Sequence, residues 1–218
     1  MKDLSVWSLK YGESVLPEHL IFKGGDSGVS LPIVFAMYFI QTESRNILVD
    51  VGCETMPGFV MKQHYSPAFV LREVGISADD ITDIIITHAH HDHVAALPHF
   101  RNAKVYVHAD EHDRIKRYLA DDTQVCTFQD SFKVENFIEI VKVGGHTCGS
   151  CVVEVDCGDV TLVIAGDECY YNACVSQKRP TGSSYNDARS LEFVEKYAGN
   201  KYRVLTMHDP AVKTEKIR

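Results

Sequence analysis

Residues 87–93, with the sequence THAHHDH, place four histidines and one aspartate within a single short stretch. The stretch directly follows an apolar run at residues 81–86, which predicts a buried strand because it is short, β-branched and bounded by polar residues. Side chains of an extended segment repeat every second residue, so we expect His88 and His90 on one side, where they can share a metal ion. Asp92 and His93 would then face elsewhere, which makes a second ion possible.

Other polar residues stand at the ends of predicted strands elsewhere in the chain. They are Asp50, His146, Asp167 and His208. Because loops on a rigid scaffold commonly carry site residues, we expect these segments to converge at one edge of the predicted sheets. Imidazole and carboxylate groups are suitable ligands for Zn, Mn or Fe in the +2 state. Five histidines and two aspartates could hold two ions bridged by one carboxylate, and water shared by such ions becomes hydroxide near neutral pH.

The elements that would position these residues are short strands with helices between them. Residues 32–41 and 46–50 are two apolar runs around a polar turn, which predicts a hairpin. Helices are predicted over residues 66–74, 110–119 and 187–197. Further strands are predicted over residues 4–9, 104–107, 124–128, 137–143, 150–156, 160–165 and 203–206. No linker divides the sequence, so we expect one domain over residues 1–218, with two packed sheets and helices outside them.

The composition indicates a soluble globular protein and excludes several classes of partner. A formal net charge of −8 argues against a basic nucleic-acid surface. The first residues contain no uninterrupted apolar segment, and no apolar run approaches the ~18 residues of a membrane span, so we expect a cytoplasmic protein without a membrane partner. Seven cysteines, an odd number, favour free thiols over a disulfide framework. The sequence does not specify the oligomeric state.

The histidine motif, followed in order by His146, Asp167 and His208, resembles the metallo-β-lactamase superfamily, whose pattern is HxHxDH and then H, D and H. The similarity extends from about Asp50 to His208. The resemblance implies an α+β fold, a four-layer αββα sandwich of two mixed sheets with outer helices. It also implies one metal site formed by His88, His90 and His146. The second metal would be held by Asp92, His93 and His208, with Asp167 bridging the two ions and Asp50 supporting the histidine loop.

Within the superfamily the sequence is similar to the N-acyl-homoserine lactonase branch. Those enzymes carry a tyrosine three residues after the bridging aspartate, and Tyr170 stands at that position. The HDP at residues 208–210 and the GHTCGS at residues 145–150 are also similar, although Cys148 occupies a position where proline is common.

This resemblance implies a hydrolase with two divalent ions, Zn²⁺ ahead of Mn²⁺ or Fe²⁺, acting on a small-molecule ester or lactone in quorum quenching. A metal-bridging hydroxide would attack the ester carbonyl. Asp92 would orient the nucleophile and pass a proton to the leaving alkoxide, and Tyr170 would donate a hydrogen bond to the oxyanion.

Alternative functions and roles stay open at this point. A thioesterase of the glyoxalase-II type would use the same metal site, and a di-iron redox protein is a further alternative on this scaffold.

The roles of several individual residues also stay open. Tyr170 is compatible with packing alone. We expect His91 to be a spacer at the variable position of the motif. Surface or packing roles are expected for His19, His64, His99, His108 and His112. The sequence leaves open the roles of Cys148, Cys151 and Cys169.

Overall fold

The computed structural model describes residues 4–218, which cluster into two compact units. Unit 1 contains residues 4–14, Val34–Phe128 and Ala211–Arg218, and unit 2 contains Val15–Ile33 and Gln129–Pro210. The single domain expected over residues 1–218 stays a prediction. Among the described residues, no helix is both long enough and apolar enough to cross a membrane.

The described residues form strands and short helices in alternation. The strands are β1 (Ser5–Pro17), β2 (Ser30–Gln41), β3 (Asn46–Val49), β4 (Asp83–Ile86), β5 (Lys104–His108), β6 (Val125–Phe128), β7 (Ser131–Glu135), β8 (Ile138–Lys142), β9 (Cys151–Asp156), β10 (Thr161–Ile164), β11 (Tyr202–Leu205) and β12 (Glu215–Lys216). The α-helices are α1 (Glu18–Ile21), α2 (Pro67–Glu73), α3 (His91–Val94), α4 (Ala109–Ile115), α5 (Asn172–Ser176) and α6 (Asp187–Tyr197).

The larger sheet has the strand order β12-β1-β2-β3-β4-β5-β6 within the described part of the chain. β2 and β3 form the predicted antiparallel hairpin, whereas β3 to β6 run parallel. The isoleucines of β4, from Ile84 to Ile86, are fully buried, as expected for an interior parallel strand. Because β3 and β4 are parallel neighbours, the residues that follow them, Asp50 and Thr87, emerge at the same edge of the sheet.

The smaller sheet has the order β11-β10-β9-β8-β7 in the same described residues. β10 pairs in parallel with β11, and the other neighbours are antiparallel. β8, β10 and β11 therefore share one direction, and the segments that follow them reach the same edge of this sheet. Those three segments carry His146, Asp167 and His208.

The predicted architecture of two mixed sheets with helices is confirmed. Helix α6 has the predicted bounds, and it buries Phe193, Val194 and Tyr197. The helix predicted over residues 110–119 is shorter, because α4 continues as a single 3₁₀ turn, Lys116–Tyr118. Strand β7 was not predicted, since Val134 is its one buried residue and its other side chains give no apolar run.

Candidate metal centre

The histidine loop, residues 87–93 of unit 1, begins where β4 ends and continues into the short helix α3. His88 and His93 are each 1% exposed and Asp92 is 8% exposed, whereas His90 is exposed to solvent. Polar side chains are seldom this deeply buried unless their hydrogen-bonding groups have partners. The hydrogen bonds of this loop therefore indicate what holds each ring.

Asp50 contacts this loop from the end of β3. Its backbone has φ 57°, a left-handed conformation that aspartate adopts more readily than most residues. Asp50 Oδ1 accepts from the Thr87 backbone N–H at 2.8 Å, and Oδ2 accepts from the Thr87 hydroxyl at 2.7 Å. His93 Nδ1 donates to the same Oδ2 at 2.6 Å. One carboxylate thus holds the start of the histidine loop and the last histidine of the motif.

These bonds also specify which ring nitrogen of each histidine carries the proton. Since the Asp50 carboxylate accepts from His93 Nδ1, the lone pair of the neutral His93 ring lies on Nε2. The Thr87 hydroxyl donates its hydrogen bond to Asp50, so its oxygen accepts from His88 Nδ1 at 3.1 Å. The lone pair of the His88 ring therefore also lies on Nε2, the nitrogen suited to a metal.

The potential ligand atoms of unit 1 converge. His88 Nε2 and His90 Nδ1 are 3.0 Å apart, and the ring centroids of His88 and His93 are 4.1 Å apart. Asp92 Oδ2 lies 3.6 Å from His93 Nε2. Unit 1 thus brings together all four ligands that the motif predicts for it.

His91 points out of this cluster. Its Nε2 contacts the Thr55 carbonyl at 2.8 Å, and because a carbonyl only accepts, Nε2 carries the proton. Its Nδ1 lies 3.3 Å from the Tyr118 hydroxyl and accepts from it. Both ring nitrogens are therefore engaged by protein groups, which agrees with the spacer role predicted for this residue.

Two residues that the sequence analysis did not single out also support the loop. Glu111, on α4, is fully buried and its Oε2 accepts from the Ala89 backbone N–H at 3.0 Å. Tyr11, on β1, is 1% exposed and donates to the Asp92 carbonyl at 2.8 Å. Burial raises the pKa of Tyr11 well above its ordinary value, so this hydroxyl stays protonated and can donate. No sequence motif marks either residue, because each reaches the loop from a distant element.

In unit 2, Asp167 follows β10 and lies between His146, which follows β8, and His208, which follows β11. It is part of a 3₁₀ turn, Gly166–Glu168, directly after β10. Asp167 Oδ2 is 3.3 Å from His146 Nε2, and Oδ1 is 3.0 Å from His208 Nε2. The two oxygens of one carboxylate thus face two different imidazoles.

Backbone and aromatic contacts hold the histidines of unit 2 in place. His146 Nδ1 donates to the Ser183 carbonyl at 2.5 Å, which leaves the lone pair on Nε2, the nitrogen nearest Asp167. His208 stacks on Tyr170 with the ring centroids 4.9 Å apart. The Tyr170 hydroxyl donates to Asp167 Oδ2 at 2.9 Å, so Tyr170 does more than pack.

Glu168 is a third residue that sequence reasoning missed, although it is the immediate neighbour of Asp167. It is fully buried, and its Oε1 accepts from the backbone N–H groups of Gly145 and His146 at 3.0 and 3.1 Å. Burial raises the pKa of Glu168 to about 7, an effect opposed by the hydrogen bond from Ser150 and by those two backbone bonds. In the sequence, the only clue to this role is that Glu168 directly follows Asp167, the residue predicted to bridge two ions.

Three of the remaining histidines contact protein groups outside the potential metal ligands. His108 is fully buried and accepts from the Asp110 backbone N–H, His64 contacts the Cys53 carbonyl, and His99 pairs with Glu54 on the surface. Within residues 4–218, no cluster of potential metal ligands includes His19, His64, His99, His108 or His112. All seven cysteines are free thiols, including the Cys148 and Cys151 pair.

The donor set is appropriate for divalent transition metals. Unit 1 supplies three imidazoles and one carboxylate, and unit 2 supplies two imidazoles and one carboxylate, each set held by hydrogen bonds within its own unit. Such mixed nitrogen and oxygen ligands are typical of Zn²⁺, Mn²⁺ and Fe²⁺ sites, whereas Ca²⁺ and Mg²⁺ sites are built from oxygen.

Comparison with known proteins identifies the family. The family model described as the metallo-beta-lactamase superfamily matches residues 36–206, most of the chain. This chain belongs to the metallo-β-lactamase superfamily. The resemblance carried by the histidine motif is therefore confirmed, and so is the predicted metallo-β-lactamase fold. Membership of this superfamily and the potential metal ligands of both units identify the protein as a metal-dependent hydrolase.

Individual relatives are more distant. A probable metallo-hydrolase of Methanocaldococcus jannaschii is 28% identical over 173 residues, which cover 78% of this chain and 74% of the relative. The N-acyl homoserine lactonase AiiB of Agrobacterium fabrum is 25% identical over 107 residues, which cover 42% of this chain and 38% of AiiB. A structure of an N-acyl homoserine lactone hydrolase, with the product N-hexanoyl-L-homoserine bound at its catalytic metal centre, superposes with a TM-score of 0.85, covering 100% of both chains at 18% identity.

Proposed function

We propose that this member of the superfamily is a dinuclear metal-dependent hydrolase that opens the ring of an N-acyl-homoserine-lactone-like ester. The observation that carries the proposal is the position of Asp167, whose two carboxylate oxygens face His146 and His208 separately. Tyr170 donates to the same carboxylate at 2.9 Å. A carboxylate in this arrangement is suited to bridge two ions and, at the same time, to hold a tyrosine beside them.

The ligand assignment follows the pattern of the superfamily. The three nitrogen ligands of the first ion would come from His88, His90 and His146. The second ion would be held by Asp92, His93 and His208, with Asp167 shared between the two. The ring nitrogens assigned as unprotonated on His88, His93 and His146 support this assignment, because a metal requires the lone pair. We expect Zn²⁺ as the metal, with Mn²⁺ or Fe²⁺ as alternatives.

Divalent ions bound by this ligand set would supply a hydroxide nucleophile near neutral pH and would polarise the ester carbonyl. The chain itself would supply orientation and proton transfer. Asp92, whose main-chain carbonyl is held by Tyr11, would orient the attacking water and then pass a proton to the alkoxide that leaves when the ring opens. Tyr170 would move its hydrogen bond from Asp167 to the carbonyl oxygen of the substrate as negative charge develops there.

The tyrosine favours a lactone over other esters of the same reaction class. Tyr170 follows Asp167 by three residues, the spacing of the lactonase branch, and it is held in place by stacking on His208. The relatives and solved structures that resemble this chain include N-acyl homoserine lactonases. Ring opening of such a signal would amount to quorum quenching.

A substrate panel tests the proposal. The zinc-loaded protein would be assayed against N-acyl homoserine lactones of several chain lengths and against acyl thioesters, with the metal-free protein as the control. We expect metal-dependent lactone hydrolysis to exceed thioester hydrolysis. Thioester turnover without lactone turnover would contradict the proposal and favour a thioesterase of the glyoxalase-II type. Two bound irons with a visible absorption band and no hydrolysis would favour a redox protein.

A further inference from the structure

Glu168 connects the two loops that carry Asp167 and His146. It is the last residue of the 3₁₀ turn Gly166–Glu168, so its backbone is continuous with Asp167. Its side chain is fully buried and reaches the loop between β8 and β9, on which His146 lies. Any shift of Glu168 would therefore be transmitted to two potential metal ligands.

A single oxygen of Glu168 gathers the donors of that loop. Oε1 accepts from the backbone N–H groups of Gly145 and His146, and also from the Ser150 hydroxyl. The Thr147 backbone N–H in turn donates to Ser150 Oγ at 3.0 Å, which closes the turn after His146. Hydrogen bonds to a carboxylate are shorter and stronger than those between neutral groups. The conformation of residues 145–150 therefore depends on this one carboxylate.

The other carboxylate oxygen of Glu168, Oε2, lowers the stability of the folded protein. In the part of the chain that the structure describes, Glu168 Oε2 has no hydrogen-bond partner, and a buried polar atom without a partner destabilises the folded state. A Cβ on Gly145 would overlap both Glu168 Oε2 and Ser190 Oγ, so the close approach requires glycine. A group that is unfavourable for stability and yet is packed this closely indicates a role in positioning.

We propose that Glu168 is a positioning residue that holds the backbone of His146 at a fixed distance from Asp167, and thereby sets the affinity and geometry of the metal site. This inference rests on the metal ligands assigned in the proposed function. It does not depend on the identity of the substrate. Residues that orient metal ligands in this way typically change metal affinity by roughly 10 to 100-fold when they are replaced.

The experiment measures metal binding without any substrate. Glu168→Ala would be compared with wild type and with Glu154→Ala, a control in the same unit. The Glu154 side chain accepts hydrogen bonds from Lys196 and Tyr197 on α6, away from the loop at residues 145–150 that Glu168 holds. Zn²⁺ affinity would be determined by competition with a chromophoric chelator, and ligand geometry from the visible absorption of the Co²⁺-loaded protein. We expect Glu168→Ala to bind one of its two ions roughly 10 to 100-fold more weakly and to shift the Co²⁺ spectrum, while Glu154→Ala matches wild type.

Two further variants distinguish positioning from a general loss of folding. Glu168→Gln keeps an acceptor for the N–H groups of Gly145 and His146, so it should restore most of the affinity and the wild-type Co²⁺ spectrum. Ser150→Ala removes one of the three donors and should weaken one ion by a smaller factor, even if Glu168→Ala does not fold. Wild-type affinity and spectrum in Glu168→Ala, or in Ser150→Ala, would overturn the role of Glu168. Failure to hydrolyse lactones would contradict only the proposed activity, whereas a wild-type protein that binds no metal would overturn both proposals.

Discussion

The hydroxyl of Tyr170 donates a hydrogen bond to Asp167 Oδ2 at 2.9 Å, across only three residues of chain. The tyrosine ring is 8% exposed and stacks on His208, so the hydroxyl is held beside the carboxylate by packing as well as by the bond. This contact connects the acid predicted to bridge two ions with the group predicted to stabilise charge on the substrate.

Tyr170→Phe removes the hydroxyl and leaves the ring that stacks on His208. We expect kcat for lactone hydrolysis to fall roughly 10²-fold, because one donor to the developing oxyanion is lost. Metal content, measured by elemental analysis, should stay at the wild-type value. Tyr171→Phe is the matched control, since the Tyr171 hydroxyl donates to the Pro32 carbonyl and lies outside the ligand set. Equal turnover in Tyr170→Phe and wild type would remove Tyr170 from the reaction.

Asp50→Ala removes the acceptor of the bonds from Thr87 and His93 Nδ1. Without it the His93 ring can rotate and change tautomer, so we expect roughly 10 to 100-fold weaker metal binding, measured by calorimetry. Asp83→Ala is the control, because Asp83 is also buried but bonds Arg45, Thr82 and Tyr106 at the other end of β4. If the two variants lose the same metal affinity, the effect of Asp50 is on folding rather than on the ligands.

His91→Ala should leave metal stoichiometry unchanged, because both nitrogens of His91 are engaged by Thr55 and Tyr118. Loss of these hydrogen bonds should lower the free energy of unfolding by about 1 kcal/mol, measured by urea denaturation of the metal-free protein. His90→Ala is the informative comparison and should lose an ion. A His91→Ala protein that binds fewer ions than wild type would show that the assignment of ligands within the motif is wrong.

Glu111→Ala deprives the Ala89 backbone N–H of its acceptor between His88 and His90. We expect the metal-free protein to lose roughly 1 to 3 kcal/mol in the free energy of unfolding, since the bond to a carboxylate is replaced by an unpaired donor. Metal affinity should also fall, because the loop is less well held. Glu111→Gln keeps an acceptor oxygen and should recover much of both losses. No recovery in Glu111→Gln would indicate that the charge, and not the hydrogen bond, is what the loop requires.

The residues that carry local patterns could be predicted from the sequence. The histidine loop follows an apolar β-branched run, and Asp50 follows the second strand of a recognisable hairpin, so both could be placed at strand ends. Helix α6 was predicted with its observed bounds because its apolar residues recur at helical spacing. The superfamily resemblance then supplied the proposed role of each potential ligand.

The supporting residues could not be predicted, and the reason is physical. Tyr11, Glu111 and Glu168 act through side chains that reach backbone groups up to 81 positions away in the sequence. A lone tyrosine or glutamate has no periodicity or spacing that distinguishes it from a surface residue until the sheets bring those segments together. Strand β7 could not be predicted either, because Val134 is its one buried residue and a single buried residue gives no alternating pattern.

The most direct test of the proposed activity is mass spectrometry of N-hexanoyl homoserine lactone incubated with the zinc-loaded protein in H₂¹⁸O. Attack of water on the ester carbonyl places the new oxygen in the carboxylate of the ring-opened product and leaves the original ring oxygen in the hydroxyl group. We predict N-hexanoyl homoserine with one ¹⁸O in its carboxylate, formed much faster with the zinc-loaded protein than with the metal-free protein. Intact lactone after prolonged incubation, or a label in the hydroxyl group, would contradict the proposal.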